Sequence, residues 1–138
     1  MAKIHIKESE IQRVILDYLQ IQENMGKLMF QRSNSLNVAT KDGHYIKTGK
    51  KGSPDILVWM SGRYYRGINQ DDFPKLKKFI RTIALEVKSE TGKQTPEQIE
   101  WQKQFEKFGG EYFIVRDVDS VLRILSYGDL KYYKEGEV

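Results

Sequence analysis

Two opposite charges interrupt the most strand-like segment of the chain, TIALEVKS at 82–89. Because side chains alternate across a strand, three aliphatic residues point to one face, while Glu86 and Lys88 point to the other beside the small Ala84. Burying two charges on a central strand is costly unless something needs them there. The alternative is an exposed charge pair on an edge strand. The segment therefore predicts either a functional site at the end of a central strand or an edge strand.

A further acid, Asp55, opens the longest apolar run of the chain, DILVWM at 55–60. If this strand pairs with 82–89, Asp55 comes close to Glu86, and two carboxylates held together repel each other. A divalent cation such as Mg²⁺, which prefers carboxylate oxygens, removes that repulsion. Lys88 can then orient or help to deprotonate an attacking water, or offset charge on a phosphate. Taken alone, Asp55 after Ser-Pro also fits an ordinary turn acid.

A third acid comes from the first helix, predicted over 8–24 by apolar residues spaced three and four apart. At about 100° per residue, Glu8 lies about 20° from Ile15 and continues the core-facing stripe, whereas Glu10 lies about 140° away. We therefore expect Glu8 to be the third metal ligand. The alternative is a first-turn acid favoured by the helix dipole.

The remaining segments predict strands at 28–31 and 111–116, a helix between the last two strands, and a last helix near the end. The intervening helix has Thr95 as N-cap, Pro96 at its first position and Gln98 three residues beyond the cap, which is a capping box. Its strand–helix–strand setting implies a parallel strand pair. The expected fold class is α/β or α+β, with a central mixed sheet flanked by helices.

Composition limits the classes of function. The 138 residues suit one domain spanning 1–138, and the net charge of +4 permits a polyanionic partner. The chain has no cysteine, which excludes thiolate zinc sites and suits a reducing cytoplasm, and its two histidines make a histidine zinc site hard to build. No apolar stretch approaches the roughly 20 residues that span a bilayer, so we expect no membrane partner.

These segments together resemble one nuclease family. SPD followed by LEVKS resembles the PD-(D/E)xK signature, and GKKGSPDILV with ALEVKSETGKQTPEQIEWQKQFEKFGGEYFIVRDVDSV is similar to its VRR-NUC branch. The resemblance covers nearly all of residues 8–125 and implies a restriction-endonuclease-like core. It also implies a Mg²⁺ or Mn²⁺ site with these ligands: Glu8, Asp55, Glu86 and the main-chain carbonyl of Val87. Lys88 is then the catalytic lysine, and Gln98 lines the site besides capping its helix.

One departure from this branch is a longer gap between Asp55 and Glu86, which predicts an insertion at about 62–81. A short helix beginning at Phe73 or Pro74 is expected within it. The insertion is a tolerated loop, a subunit contact or a DNA-facing flap. Four basic residues favour contact with DNA: Lys75, Lys77, Lys78 and Arg81.

Stand-alone members of this branch, from phages and bacteria, are likened to Holliday-junction resolvases. The resemblance therefore implies an endonuclease for branched DNA in the cytoplasm of a bacterium or of a phage-infected host. Paired cuts on opposing strands need two sites, which a C₂ homodimer supplies. Phosphate contacts are expected from Lys47, Lys50 and Lys51. The alternatives are a flap, fork or general DNA nuclease, a catalytically silent nucleic-acid-binding domain, and a small-ligand or protein-interaction module.

Overall fold

The computed structural model describes residues 4–33, 37–47, 50–67, 75–126 and 130–134. Within these ranges the elements follow in this order: α1 (Glu8–Asn24), β1 (Met29–Arg32), β2 (Asn37–Ala39), β3 (Tyr45–Lys47), β4 (Ile56–Gly67), β5 (Lys75–Val87), α2 (Pro96–Lys107), β6 (Glu111–Val115), α3 (Val118–Ser126) and β7 (Leu130–Lys134). Five strands form one mixed sheet, and β2 pairs with β3 as a separate hairpin. This is the expected α+β class, a mixed sheet with helices packed on it.

The central strand of the sheet is β5. It pairs antiparallel with β4 along most of its length and parallel with β6 at its C-terminal end. β1 lies antiparallel to the inner end of β4, and β7 lies parallel to the outer end. The predicted parallel pair around the intervening helix is therefore confirmed, and so is the pairing of the strand at 55–60 with the strand at 82–89.

The two faces of the sheet differ in chemistry. One face and the helices α1 and α3 form the hydrophobic core, whose fully buried members include Ile15, Leu19, Ile56, Val58, Ile83, Leu85, Val87, Val115 and Val121. The other face carries Ala84, Glu86 and Tyr112, against which α2 packs through Gln98 and Trp101. No residue of α2 is fully buried. The helix nevertheless covers this face, since Ala84, Glu86 and Tyr112 are all buried, and the polar site forms beside its first turn.

The helices begin where local signals place them. The helix predicted over 8–24 is confirmed as α1, with Ile11, Ile15 and Leu19 buried. The capping box of α2 is present, since Thr95 Oγ1 accepts from Gln98 N at 3.2 Å and Thr95 N donates to Gln98 Oε1 at 2.9 Å. None of the helices in the described ranges is long and apolar enough to cross a membrane.

The range 62–81, predicted as an insertion, lies on the outer halves of β4 and β5 and on the connection between them. The prediction of a short helix beginning at Phe73 or Pro74 is wrong for the residues from Lys75 onward, because they form β5. Phe73 and Pro74 themselves lie outside the described residues. The residues from Lys75 onward form backbone hydrogen bonds with the outer half of β4. This strand pairing overrides the local preference of the segment for a helix. A strand that the sequence analysis did not predict, β7, follows α3 and pairs with the outer end of β4.

Arg81 was expected to face DNA, and the structure places it in the interior instead. It is 3% exposed, its Nε donates to Glu111 Oε2 at 2.8 Å, and its Nη2 donates to Glu111 Oε1 at 3.0 Å. The same Nη2 also donates to the carbonyl of Ile124 at 3.2 Å. Arg81 therefore joins β5, β6 and α3, and the prediction of a DNA contact at this position is wrong.

We expect Glu111→Ala to destabilise the fold by leaving the Arg81 guanidinium buried without its carboxylate. Removing one partner of a fully buried pair costs about 3–5 kcal/mol, and the partial exposure of Glu111 lowers the expected loss to about 2–3 kcal/mol. Urea unfolding measures this loss. Glu100→Ala, an exposed change on α2, is the control and should stay within about 0.5 kcal/mol. Equal losses in the two variants would contradict the structural role of the pair.

Candidate active site

Asp55 lies at the point where the β4–β5 ladder ends. One position beyond the last pair, Ile56 with Leu85, the same register places Asp55 beside Glu86. Asp55 is 9% exposed, and its Oδ2 accepts a hydrogen bond from the backbone N–H of Val87 at 2.8 Å. A side-chain carboxylate thus takes the place of a ladder carbonyl, and this bond fixes the Asp55 side chain against the end of β5.

Glu86 is the most deeply buried acid of the site, at 2% exposure. Its Oε1 accepts from Gln98 Nε2 at 2.7 Å and lies 3.3 Å from Lys88 Nζ. Its Oε2 is buried and has no hydrogen-bond partner among the described residues. One oxygen of the carboxyl group is therefore held by two donors, while the other receives none from the ranges that the structure describes.

The backbone at the end of β5 adds a third oxygen. Lys88 N donates to Val115 O at 3.0 Å, toward β6, while Val87 N points the opposite way, to Asp55. In a strand, the N–H and C=O of one residue point to the same side. The Val87 carbonyl is therefore directed to the side on which Asp55 lies, as the family resemblance implied for a metal ligand.

The electrostatics of the acid pair favour retention of a proton. Burial and then the Asp55 carboxyl raise the pKa of Glu86 to about 7, against the opposing charge of Lys88. Burial also raises the pKa of Asp55, although the hydrogen bond from Val87 works in the other direction. Lys88 is only 7% exposed, and its single positive charge balances no more than part of the negative charge of the two carboxyl groups.

The donor set fits a hard divalent cation. The Asp55 carboxyl group lies close enough to raise the pKa of Glu86, and Glu86 Oε2 has no donor among the described residues, so the site is rich in oxygen and short of positive charge. Glu8 is exposed at the start of α1, and its charge contributes to the raised pKa of Asp55. Within the described residues, however, no three His, Cys, Asp or Glu side chains converge. The role of Glu8 as third ligand stays a prediction.

Gln98 makes two hydrogen bonds, one within the helix cap and one to the acid pair. Its Oε1 accepts from the backbone of Thr95 and completes the helix cap, while its Nε2 donates to Glu86. A single side-chain amide therefore ties the first turn of α2 to the buried carboxylate. This contact also fixes the rotamer of Glu86.

The predicted DNA-binding lysines lie on the segment that precedes β4. Lys50 and Lys51 are exposed, and Lys51 Nζ lies 3.1 Å from Glu97 Oε1, beside Gln98. Gly52 has a φ of +85°, and a Cβ there would lie 2.3 Å from the Glu97 carbonyl oxygen, so the segment packs closely on the start of α2. The side chain of Lys47, the last residue of β3, lies outside the described residues.

Two residues near the site were missed at the sequence level. Tyr112 lies opposite Ala84 on the polar face, and burial raises its pKa to about 12. Arg116 Nη1 donates to the carbonyls of Ser89 and, at 3.0 Å, Gly92, which holds the segment that follows Lys88. A signal existed for Arg116, since it follows a strand parallel to β5 and such strands end at one edge of the sheet.

Two carboxyl groups and a lysine at the end of a strand pair in a mixed sheet form a nuclease core of the PD-(D/E)xK type. The family model described as VRR-NUC domain matches residues 6–119, and the chain belongs to the VRR-NUC family. Comparisons with curated proteins and with solved structures gave no significant match. Family membership indicates a nuclease-type function, with DNA as the implied substrate.

We expect the metal-free protein to lose stability as the pH rises through 7. Glu86 titrates near 4.5 when unfolded and near 7 when folded, so the folded state alone keeps the proton between these values. The resulting stabilisation is complete below pH 4.5 and is lost as pH rises through the folded pKa. In EDTA, the free energy of unfolding should fall by roughly 2–3 kcal/mol between about pH 5 and about pH 8. Glu86→Gln should remove most of this slope, and parallel pH profiles would contradict the assignment.

The two functions of Gln98 can be separated by a pair of variants. Gln98→Glu keeps an acceptor for Thr95 N but replaces the donor to Glu86 by an oxygen, so nuclease activity should fall by about ten- to hundredfold. Thr95→Ala removes the cap oxygen alone and should cost about 1 kcal/mol of stability, with activity almost unchanged. Cleavage rates and thermal unfolding measure both effects. Equal activity of the two variants would show that the contact between Gln98 and Glu86 is only structural.

Proposed function

We propose that the protein is a divalent-metal-dependent endonuclease that selects branched DNA and acts as a homodimer, in the manner of a Holliday-junction resolvase. The observation that carries this proposal is the buried group of Asp55, Glu86 and Lys88, with a carboxylate oxygen of Glu86 that receives no hydrogen bond from the described part of the chain. A chain that kept this arrangement for stability alone would gain by replacing it with apolar residues. The cost of burial is therefore explained by chemistry at this site.

The residues that would hold Mg²⁺ or Mn²⁺ are Asp55, Glu86 and the carbonyl of Val87, with Glu8 as the proposed third acid. Glu86 Oε2 and the Asp55 oxygen that does not face Val87 N are the side-chain atoms left to bind it. When bound, such a cation polarises the scissile phosphate and promotes ionisation of the attacking water. Binding of the metal ion must displace the proton that the acid pair retains near neutral pH.

The side chains around the acid pair orient it and supply positive charge. Lys88 places an ammonium group 3.3 Å from Glu86 Oε1, where it can offset charge that develops on a phosphate in the transition state. Gln98 holds the same oxygen at 2.7 Å and prevents the carboxylate from rotating. The backbone N–H of Val87 does the same for Asp55. The groups are thus preorganised before substrate binds.

DNA is the substrate that suits the surroundings of the site. The exposed Lys50 and Lys51 precede Gly52, which packs on the start of α2 and so brings both lysines near Gln98. A weak surface ion pair such as Lys51–Glu97 can be exchanged for a phosphate contact at little cost. Contacts of this type read the backbone and shape of DNA, since phosphates carry no sequence information directly. We propose that Lys47 on β3 contributes to the same surface.

The proposed homodimer follows from the reaction. The described residues of one chain hold one buried acid pair of this kind, whereas a four-way junction is resolved by paired cuts on opposing strands. A C₂ dimer presents two identical sites related by the symmetry of such a junction. Light scattering of the purified protein measures the oligomeric state independently of activity, and a monomer that cuts junctions would remove the symmetric mechanism.

The test is cleavage of a four-way junction, a flap and a linear duplex in Mg²⁺ and in Mn²⁺. We expect paired nicks near the branch point, with the junction cut fastest. Glu86→Ala and Asp55→Asn should each lower the rate by more than about 10³-fold while DNA binding persists, and the exposed change Asp119→Asn should not. Equal cutting of all three substrates would indicate a general nuclease. Binding without cutting by the wild type in either metal would indicate a catalytically silent nucleic-acid-binding domain.

A further inference from the structure

The β4–β5 hairpin extends well beyond the rest of the sheet. Pairing with β1 stops at Trp59, and pairing with β6 stops at Ile83, so the strands continue outward with β7 as their described neighbour. Over 60–67, 75–82 and 130–134 these strands contain no acidic residue. Their basic residues are Arg63, Arg66, Lys75, Lys77, Lys78, Arg81, Lys131 and Lys134. Glu111 neutralises the charge of Arg81 in the interior. The net positive charge of the outer strands therefore comes from the other seven basic residues.

Two of these cations face each other directly. Arg63 on β4 lies opposite Lys78 on β5, and both residues are exposed. Like charges at directly opposed positions of an antiparallel pair destabilise the pairing. Neither residue forms an ion pair within the described part of the chain. Among the residues that the structure describes, no acid therefore compensates the repulsion, and an anion from outside would relieve it.

The Arg63–Lys78 pair lies on the same side of the sheet as the catalytic groups. Side chains alternate along β5, so Lys78 shares its face with Glu86 and Lys88. On the opposite face the Phe79 ring covers Gly62 so tightly that a Cβ there would lie 2.4 Å from Phe79 Cζ. Next to the pair this face is open, with Ile80 at 67% exposure, whereas next to the acids Ala84 is buried on the part of the face that α2 covers. A duplex bound at the acid site would therefore run beside α2 and cross the open part of this face to reach the pair.

The spacing along the strand sets a length. Eight residues separate Lys78 from Glu86, which is at most about 27 Å at roughly 3.4 Å per residue. At about 3.4 Å per base pair, the same length is about eight base pairs of duplex. This inference rests on the proposed function: we propose that the Arg63–Lys78 pair binds the phosphate backbone of one duplex arm about eight base pairs from the cut. The preferred substrate is then branched DNA with arms of at least that length.

The first experiment compares two double variants that remove the same charge from different places. Arg63→Ala/Lys78→Ala removes the pair, and Lys103→Ala/Lys107→Ala removes two exposed lysines of α2 as the matched control. Affinity for a junction with arms of about 20 base pairs is measured in EDTA across a range of salt. Each lost phosphate contact lowers the salt slope by about 0.9. Between 50 and 200 mM salt, the wild type should lose about twelvefold more affinity than the first variant.

The length of the DNA arms provides the second readout. On arms trimmed to about five base pairs, the wild type and the Arg63→Ala/Lys78→Ala variant should bind equally, because the duplex no longer reaches the pair. The cleavage rate at saturating DNA should stay within about twofold on both substrates, since the changed residues lie far from the cut. Lys78→Glu serves as a further variant. It places opposite charges across the strands, which favours their pairing, and it should still weaken binding to long arms.

The outcomes separate this inference from the function on which it rests. A salt slope equal to that of the wild type, or an equal loss on short and long arms, overturns the inference alone. If the double variant changes the oligomeric state measured by light scattering, the pair is a subunit contact and the inference is wrong. If the wild type neither binds nor cuts DNA, the proposed function itself fails. Retained stability of Lys78→Glu together with weaker binding to long arms supports the electrostatic role.

Discussion

The hydrogen bond from the Val87 backbone N–H to the Asp55 carboxylate is the contact on which the active site depends. It forms just before the first residue of β4, where β5 extends past its last pair with that strand, so a donor that would otherwise have no strand partner is satisfied by a side chain. The bond fixes Asp55 next to Glu86 and leaves the carbonyl of Val87 on the same side. Without this hydrogen bond, the buried carboxyl groups of Asp55 and Glu86 would move apart or bind more protons.

Two different faces of one sheet allow the protein to have both a stable core and a charged interior. The face carrying Ile83 and Leu85 packs on α1 and α3 and supplies the hydrophobic stabilisation. The opposite face meets α2, which has no fully buried residue of its own. The polar groups of the site thus sit on a rigid support while a substrate can approach from the side. The helix α2 contacts the acid pair through one hydrogen bond, from Gln98 to Glu86, and contributes no fully buried residue to a core.

Basic residues on the same strand, β5, differ in burial and in their partners. Arg81 is buried and paired with Glu111, whereas Lys78, three positions away, is exposed and faces Arg63. Strand periodicity alone places these two side chains on opposite faces. Which face is covered depends on α3 and β6, and Glu111 is thirty residues from Arg81 in the chain. Composition therefore could not distinguish a structural cation from one available to a ligand.

The amino-acid sequence by itself determined the features that rest on short-range signals. The bounds of α1, the capping box of α2 and the alternation that turns Glu86 and Lys88 away from the aliphatic face all follow from residues within a few positions of each other. Only the tertiary structure decided that 75–81 is a strand, that β7 joins the sheet and that Arg81 is internal. Strand pairing and burial depend on partners distant in the chain, and local preference does not encode the register that brings those partners together.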